Sequence, residues 1–341
     1  MNKNKKNVAI LTLPLHYNYG GVLQAYALQT VIDSLGYNAV ILSFNKNTIK
    51  ERLKKNQHFF DFERKLIKKE YVKEDELNNY CNTLSFMIVG SDQVWNTYFD
   101  SVFFYFLDFL ENKTTKRIAY AASFSTDKIG MHGENLIKLK KLCKAFHSIS
   151  VREMSGIKLT EQLGCQAELA LDPTLLLNKD DWEKVIKQFP LKEKSNDFIF
   201  YYMLDFKNKY NLEILDYYTN KFGIRSQGVK LVKNKILKRF ISPTIVPDWI
   251  DYIRSSKFVV TDSFHGVLFS IIFNRPFVVV PNNGGGNTRI ESILSLLGLE
   301  NCYLKSKDDI TIEKIYDWEN VNSQLKILND KSLLYLKRSL L

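Results

Sequence analysis

The chain has 341 residues, 48 of them Lys or Arg against 37 Asp or Glu, for a formal charge of +11. At roughly 100–200 residues per domain, this length points to two domains. With 45% hydrophobic and 25% charged residues the composition is that of a globular protein and excludes a disordered one, while the surplus positive charge points to an anionic partner without saying which.

In chain order, a basic start (Lys3, Lys5, Lys6) precedes an apolar run at 8–15, the outline of a signal peptide. The run is short, lacks a small-residue cleavage site and leads into His16-Tyr17-Asn18-Tyr19-Gly20-Gly21, so it reads as a first core strand over 8–13. Val22, Leu23, Tyr26, Ala27, Val31 and Leu35 then recur at helical spacing until Gly36, and a second strand comes next at 38–44, completing a βαβ unit with a parallel sheet. Residues 46–80 are rich in Lys and Glu with aromatics at His58, Phe59, Phe60 and Phe62; two readings stand, a solvated helical excursion or a mobile lid. Short apolar runs at 86–89, 117–122, 148–151 and 168–171 continue the buried-strand pattern.

A polar, Pro-containing stretch at 178–197 marks the domain boundary. The second half alternates again: strand 198–204, helix 208–222, strand 227–232, helix 247–255, strand 257–261, helix 265–273, strand 276–280, helix 288–297. Residues 310–341 read as helical and able to pack back on the first domain. The expected organisation is α/β, with two Rossmann-like domains on parallel sheets facing across a cleft: 1–180 with a variable insertion at about 46–80, 181–309, and the helical segment 310–341.

The longest apolar stretches, 102–110 and 267–280, are cut by Asp108 and by Asn274, Arg275 and Pro276, so no spanning helix of about 20 apolar residues is expected. Cys81, Cys143, Cys165 and Cys302 are scattered, with no C-x-x-C pair and no His at ligand spacing. Structural zinc and disulfides are therefore not expected, and the cytoplasm is the expected compartment. No G-x-G-x-x-G or P-loop is present, so neither NAD nor ATP chemistry is suggested.

Parallel sheets bind ligands where their strands end, so the residues just past each strand are the informative ones. Gly20 and Gly21 open a helix whose N–H groups suit a phosphate or carboxylate, although a tight turn explains them equally well. Gly90-Ser91-Asp92-Gln93-Val94-Trp95-Asn96 offers Asp92 as a base or sugar-hydroxyl acceptor and Trp95 as a stacking surface, with capping and packing as the plainer alternatives. Arg152, beside Glu153, is either an ion pair at a helix start or a bidentate clamp on an anion. His265, at a strand-to-helix switch beside Gly266, is either a satisfied structural residue or an acid/base candidate; Asp262 either orients it or caps the helix. Arg289 lies just beyond the triple glycine 284–286 near a helix start, where a cation and free N–H groups can share one anion. Lys230, Lys233, Lys235, Lys238 and Arg239 form a basic stripe, read as a solvated face or as contact with an anionic membrane surface. Nucleic acid is not an expected partner, because no binding module is present.

Five motifs taken in order resemble the polysaccharide pyruvyl transferase family. They are Asn18-Tyr19-Gly20-Gly21-x-Leu23-Gln24-x-Tyr26-Ala27-Leu28, the Gly90 to Asn96 run, Ser150-Val151-Arg152-Glu153, Leu171-Asp172-Pro173-Thr174 and Thr261-Asp262-Ser263-Phe264-His265-Gly266. The resemblance implies a fold similar to GT-B glycosyltransferases and transfer of a pyruvyl group from phosphoenolpyruvate to a sugar, forming a cyclic ketal on cell-surface polysaccharide. It implies His265 near the donor and Arg152 helping to hold it.

The expected site then has His265 and Asp92 as catalytic groups. Arg152, Ser263, Phe264, Gly266 and Arg289 lie on the donor side, and Asn18, Gly20, Gly21, Gln24, Ser91 and Trp95 on the acceptor or phosphate side. Neither metal nor cofactor is expected; phosphoenolpyruvate is a co-substrate, and the acceptor is an oligosaccharide or lipid-linked sugar. One departure stands out: Ser263 occupies a position where studied members carry an Arg, and Arg289 or Arg275 is the candidate to supply that charge. The alternatives are a glycosyltransferase using a nucleotide sugar and a non-catalytic sugar-binding protein.

Overall fold

The computed structural model describes residues 6–15, 18–44, 49–111, 114–193, 197–205, 208–229, 240–241, 244–306 and 308–341. The chain divides into two compact units: unit 1 comprises Met1–Leu177 and Lys326–Leu341, and unit 2 comprises Asn178–Leu325.

Among the described residues, unit 1 carries the strands β1 (Asn7–Leu11), β2 (Asn38–Ser43), β3 (Lys69–Tyr71), β4 (Phe86–Val89), β5 (Lys116–Ala122), β6 (Ser148–Val151) and β7 (Glu168–Leu169). They form one parallel sheet in the order β3-β2-β1-β4-β5-β6-β7. The central strands β1 and β4 are apolar over most of their length because helices cover both faces: Val8, Ala9, Ile10, Met87, Ile88 and Val89 are all buried. Within the 46–80 stretch the helix Ile49–Leu66 docks on the helix Tyr19–Ser34. Phe59 and Phe62 are buried, with Phe59 5.2 Å from Tyr19 and Phe62 edge-on to Tyr26 at 5.6 Å. These rings anchor the helix in the core, which argues against the lid reading.

Unit 2 repeats the design with β8 (Phe198–Tyr202), β9 (Arg225–Val229), β10 (Phe240–Ile241), β11 (Phe258–Thr261) and β12 (Phe277–Val279), again parallel, in the order β10-β9-β8-β11-β12. Its core gathers Ile199, Tyr201, Ile214, Leu215, Val260 and Val278. The last helix, Trp318–Ser339, supplies Ser332, which accepts the Leu171 amide at 2.9 Å, and Tyr335, whose hydroxyl donates to the Ala119 carbonyl at 2.9 Å, so its end closes unit 1.

The strand orders also say where to look for function. In unit 1 successive strands run outward from β1 to β3, and the chain then returns to place β4 on the other side of β1. In unit 2 the same reversal falls between β8 and β11. At such a reversal the flanking loops leave in opposite directions and open a crevice at the carboxyl ends of the two strands. Among the described residues no helix is long and apolar enough to cross a membrane.

Candidate functional site

The crevice of unit 1 is floored by a buried polar network. Arg152 lies directly after β6, and its guanidinium donates from Nη2 to Asp92 at 2.9 Å and from Nη1 to Asp172 at 2.7 Å, with Glu153 3.9 Å from Nε. The Arg152 side chain is fully buried. Burial opposes its charge, but the combined fields of Asp92, Asp172 and Glu153 outweigh that and hold its pKa above the ordinary value. Glu153 accepts from the Ser123 hydroxyl at 2.9 Å and from the amides of Phe124 and Ser125 at 2.8 and 3.2 Å, pinning the loop after β5.

Ser91 links this cluster to the first helix. Its hydroxyl lies 2.9 Å from the Ala121 carbonyl and 3.2 Å from Asp172, and its amide donates to the Gln24 side-chain carbonyl at 3.0 Å. The Gln24 amide group donates to Thr12 and to the Gly21 carbonyl, and Thr12 donates to the Ser91 carbonyl. Close packing here explains Gly90: a Cβ at that position would sit 2.2 Å from the Tyr120 carbonyl oxygen. Asp92, Ala121 and Ser125 adopt left-handed backbone, φ 70°, 46° and 62°, strain that the surrounding bonds must hold.

The crevice of unit 2 is built differently. Ser263 caps the helix Phe264–Ile272, accepting the Gly266 amide at 3.4 Å. His265 lies in the first turn and is 6% exposed, with its ring centroid 5.3 Å from that of Phe264. Arg289, 8% exposed in the first turn of the helix Asn287–Leu296, places its guanidinium 5.6 Å from the centroid of the same Phe264 ring. A cation–π contact of this kind is worth about 1 kcal/mol or more and holds the cation over the ring that His265 also meets. Gly286 precedes that helix, so no side chain occupies its N-cap position. Asp262 accepts the amides of Leu204 and Asp205 at 2.6 and 2.7 Å; burial nonetheless pushes its carboxyl up to about 6.

The structure therefore sorts the sequence candidates into two groups. His265, Ser263, Phe264, Gly266 and Arg289 come together in unit 2. Asn18, Gly20, Gly21, Gln24, Ser91, Asp92 and Arg152 come together in unit 1, but several are occupied by one another. Arg152, read as a clamp on an anionic donor, meets three carboxylates of its own chain in a fully buried position. Asp92, read as a base, is one of them.

Contacts correct other readings. The Gly21 amide, offered to an anion, donates to Asn18 at 2.5 Å. Trp95, read as a sugar-stacking surface, is fully buried, stacked on Phe106 at 4.5 Å and 16°, with its Nε1 donating to the Tyr105 carbonyl at 3.3 Å. Arg275 lies past the end of the helix Phe264–Ile272 that is remote from His265, and its amide donates to the Ser270 carbonyl, whereas Arg289 lies over the ring of Phe264, next to Ser263 in sequence. Asp262 does not cap the helix, because Ser263 does. Asp172 and Asp205 are the partners that sequence reading passed over, although the Asp172-Pro173-Thr174 motif marked the first. His16, Tyr17 and the basic stripe at 230–239 lie outside the described residues.

A cavity of about 230 Å³ lined by Glu291, Leu294, Ser295, Glu300, Tyr303 and Lys305 also lies in unit 2 and holds none of the candidates. Among the described residues no group of three or more His, Cys, Asp or Glu is placed to hold a metal ion.

The family model of polysaccharide pyruvyl transferases matches residues 18–284. No functionally curated protein matches the chain. Among solved structures the chain resembles UDP-N-acetylglucosamine 2-epimerase from Rickettsia bellii, with TM-score 0.53 and 10% identity over 97% of this chain and 96% of that one. It also resembles UDP-GlcNAc 2-epimerase from Methanocaldococcus jannaschii, with TM-score 0.54 and 10% identity over 95% and 93%. A complex of the latter enzyme with UDP-GlcNAc and UDP gives TM-score 0.54 and 12% identity over the same shares. At such identities the likeness concerns the fold, which is GT-B-like, with α/β units on parallel sheets. The chain belongs to the polysaccharide pyruvyl transferase family, an enzyme family.

Proposed function

We propose that this member of the polysaccharide pyruvyl transferase family moves the pyruvyl group of phosphoenolpyruvate to a pair of hydroxyls on a cell-surface polysaccharide or its oligosaccharide or lipid-linked precursor, forming a pyruvate ketal. The observation that carries the reading is the grouping around Phe264 of the His265 imidazole, on the family's Thr261-Asp262-Ser263-Phe264-His265-Gly266 motif, and the Arg289 guanidinium, in the first turn of the next helix. In this reading Arg289 and the first turns of the helices at 264 and 287 hold the donor's carboxylate and phosphate. Ser263 cannot supply the charge that other members place at its position, and Arg289, over the neighbouring ring, takes that part.

Imidazolium at His265 protonates the methylene carbon of the donor, leaving an oxocarbenium-like centre at the carbon bearing phosphate. A sugar hydroxyl attacks that carbon and gives its proton to the now neutral imidazole. The carbon–oxygen bond to phosphate breaks, and the second hydroxyl adds and loses its proton, which phosphate carries away. Acceleration comes from orientation and from charge placed where the transition state needs it. The strand-end loops of unit 1, on their rigid floor, are assigned to the acceptor, and the reaction is assigned to the cytoplasmic side of the membrane.

The decisive experiment is mass spectrometry of candidate oligosaccharides incubated with enzyme and phosphoenolpyruvate. The ketal mass increment is expected, and its absence with every acceptor while a nucleotide sugar is consumed would overturn the reading. The fold shared with enzymes solved with UDP-GlcNAc supports that second reading, transfer from a nucleotide sugar. Titration calorimetry with phosphoenolpyruvate and with UDP-sugars separates the two by which gives heat.

A further inference from the structure

We propose that Asp262 is the positioning residue of the unit 2 crevice, a carboxylate that ties the loop after β8 to the turn after β11 and, through Asp205, sets the loop after β12. The proposal rests on unit 2 being the donor side. Its two oxygens accept two consecutive amides, Leu204 at 2.6 Å and Asp205 at 2.7 Å. The Asp205 carboxylate in turn accepts the Asn283 amide at 3.4 Å, and Asn211 donates to the Pro281 carbonyl at 3.1 Å. Three strand-end loops are thereby joined, and the bonds that join the first two begin at Asp262.

The neighbours of Asp262 serve the same end. Thr261 donates to the Tyr202 carbonyl at 2.6 Å, across to β8, and accepts the Ser263 amide at 3.0 Å. Gly266 packs so tightly that a Cβ there would lie 2.4 Å from the Thr261 hydroxyl oxygen. The polar side chains of 261–263 thus make bonds that hold backbone in place. Contact with a ligand falls to the residues they set, His265 in the next turn and Arg289 across the Phe264 ring. A carboxylate suits this arrangement, because each of its two oxygens accepts one of the two adjacent amides. An amide of the same shape brings one oxygen and turns an NH₂ toward the second donor.

The test uses the full chain, with Asp262→Asn as the near-isosteric variant. Amide hydrogen exchange at Leu204 and Asp205 should speed up by about 10-fold or more. The KM for phosphoenolpyruvate should rise by about 10-fold, with a smaller change in kcat, because donor placement is lost and the proton carrier stays. Ser263→Ala, which removes only the cap, should leave the exchange at Leu204 and Asp205 unchanged. Wild-type exchange in Asp262→Asn, or faster exchange with unaltered KM and kcat, would overturn the proposal.

Should that variant fail to fold, the wild-type protein decides. Leu204 is 46% exposed, yet its amide must exchange as slowly as those of β8, and free exchange there would sink the idea. If the wild-type enzyme makes no ketal, the functional reading fails, while the exchange arm still judges the clamp.

Discussion

The two crevices share an architecture and differ in how they treat charge. In unit 1 a guanidinium is fully buried among three carboxylates, and hydroxyls and amides complete the network. In unit 2 a guanidinium lies over an aromatic face that also meets a histidine, each side chain keeping a small exposed edge, and a buried carboxylate is engaged by backbone amides. The first arrangement ties its one cation to carboxylates of its own chain and makes a floor. The second sets an imidazole and a guanidinium against one aromatic ring, and a fold-level likeness would not have separated them.

The contrast is broken most severely at Arg152. Arg152→Ala leaves three carboxylates buried without their counter-charge, and should cost about 3–5 kcal/mol in chemical denaturation. Arg152→Lys should recover only part of that, because an ammonium cannot fork between Asp92 and Asp172. A loss under about 1 kcal/mol would mean the network is not the floor described. In unit 2 the expected effect lies in rate: His265→Ala should lower ketal turnover by roughly 10²-fold or more with little change in thermal midpoint. Unchanged turnover removes His265 from the mechanism.

Titration sharpens the comparison further. The Asp262 carboxyl is raised to about 6 by burial, with Asp205 adding a like charge and the Leu204 and Asp205 amides opposing. A raised carboxyl favours the fold when protonated, so its contribution is present below about pH 4 and lost as pH rises to about 6. The amount is on the order of 2–3 kcal/mol. Unfolding free energies at pH 4.5 and 7 should therefore differ between wild type and Asp262→Asn by an amount that shrinks the wild-type advantage at the higher pH. The smallest effect is expected at Asn18, where loss of the bond to Gly21 by Asn18→Ala should cost about 1 kcal/mol. Acceptor affinity should fall only if Asn18 also meets the sugar.

Much of this was legible in the sequence, for a physical reason. Central parallel strands must be apolar on both faces, so β1, β4, β8 and β11 announce themselves as apolar runs, and the residues at their carboxyl ends are the candidates. The edge strand β3 does not, because Lys69, Glu70 and Tyr71 lie at a sheet border and edges need no apolar run. Partners were harder than positions. Arg152 stood out, but nothing local says that its carboxylates come from 60 residues before and 20 after it. Trp95 misled because a polar motif surrounds it, while the rings that enclose it, Phe106, Phe124 and Phe146, arrive from three other segments.

The last helix bears on how the chain is made. Unit 1 needs residues from Lys326 onward, and Ser332, Tyr335 and Leu340 bond to Leu171, Ala119 and Tyr37. During synthesis the first 177 residues emerge long before the segment that closes their sheet. The uninterrupted unit 2 can finish folding while unit 1 is still waiting. A nascent chain stalled near residue 325 would therefore hold one completed half and one open half, and a few missing residues at the carboxyl terminus would be felt at the opposite end of the sequence.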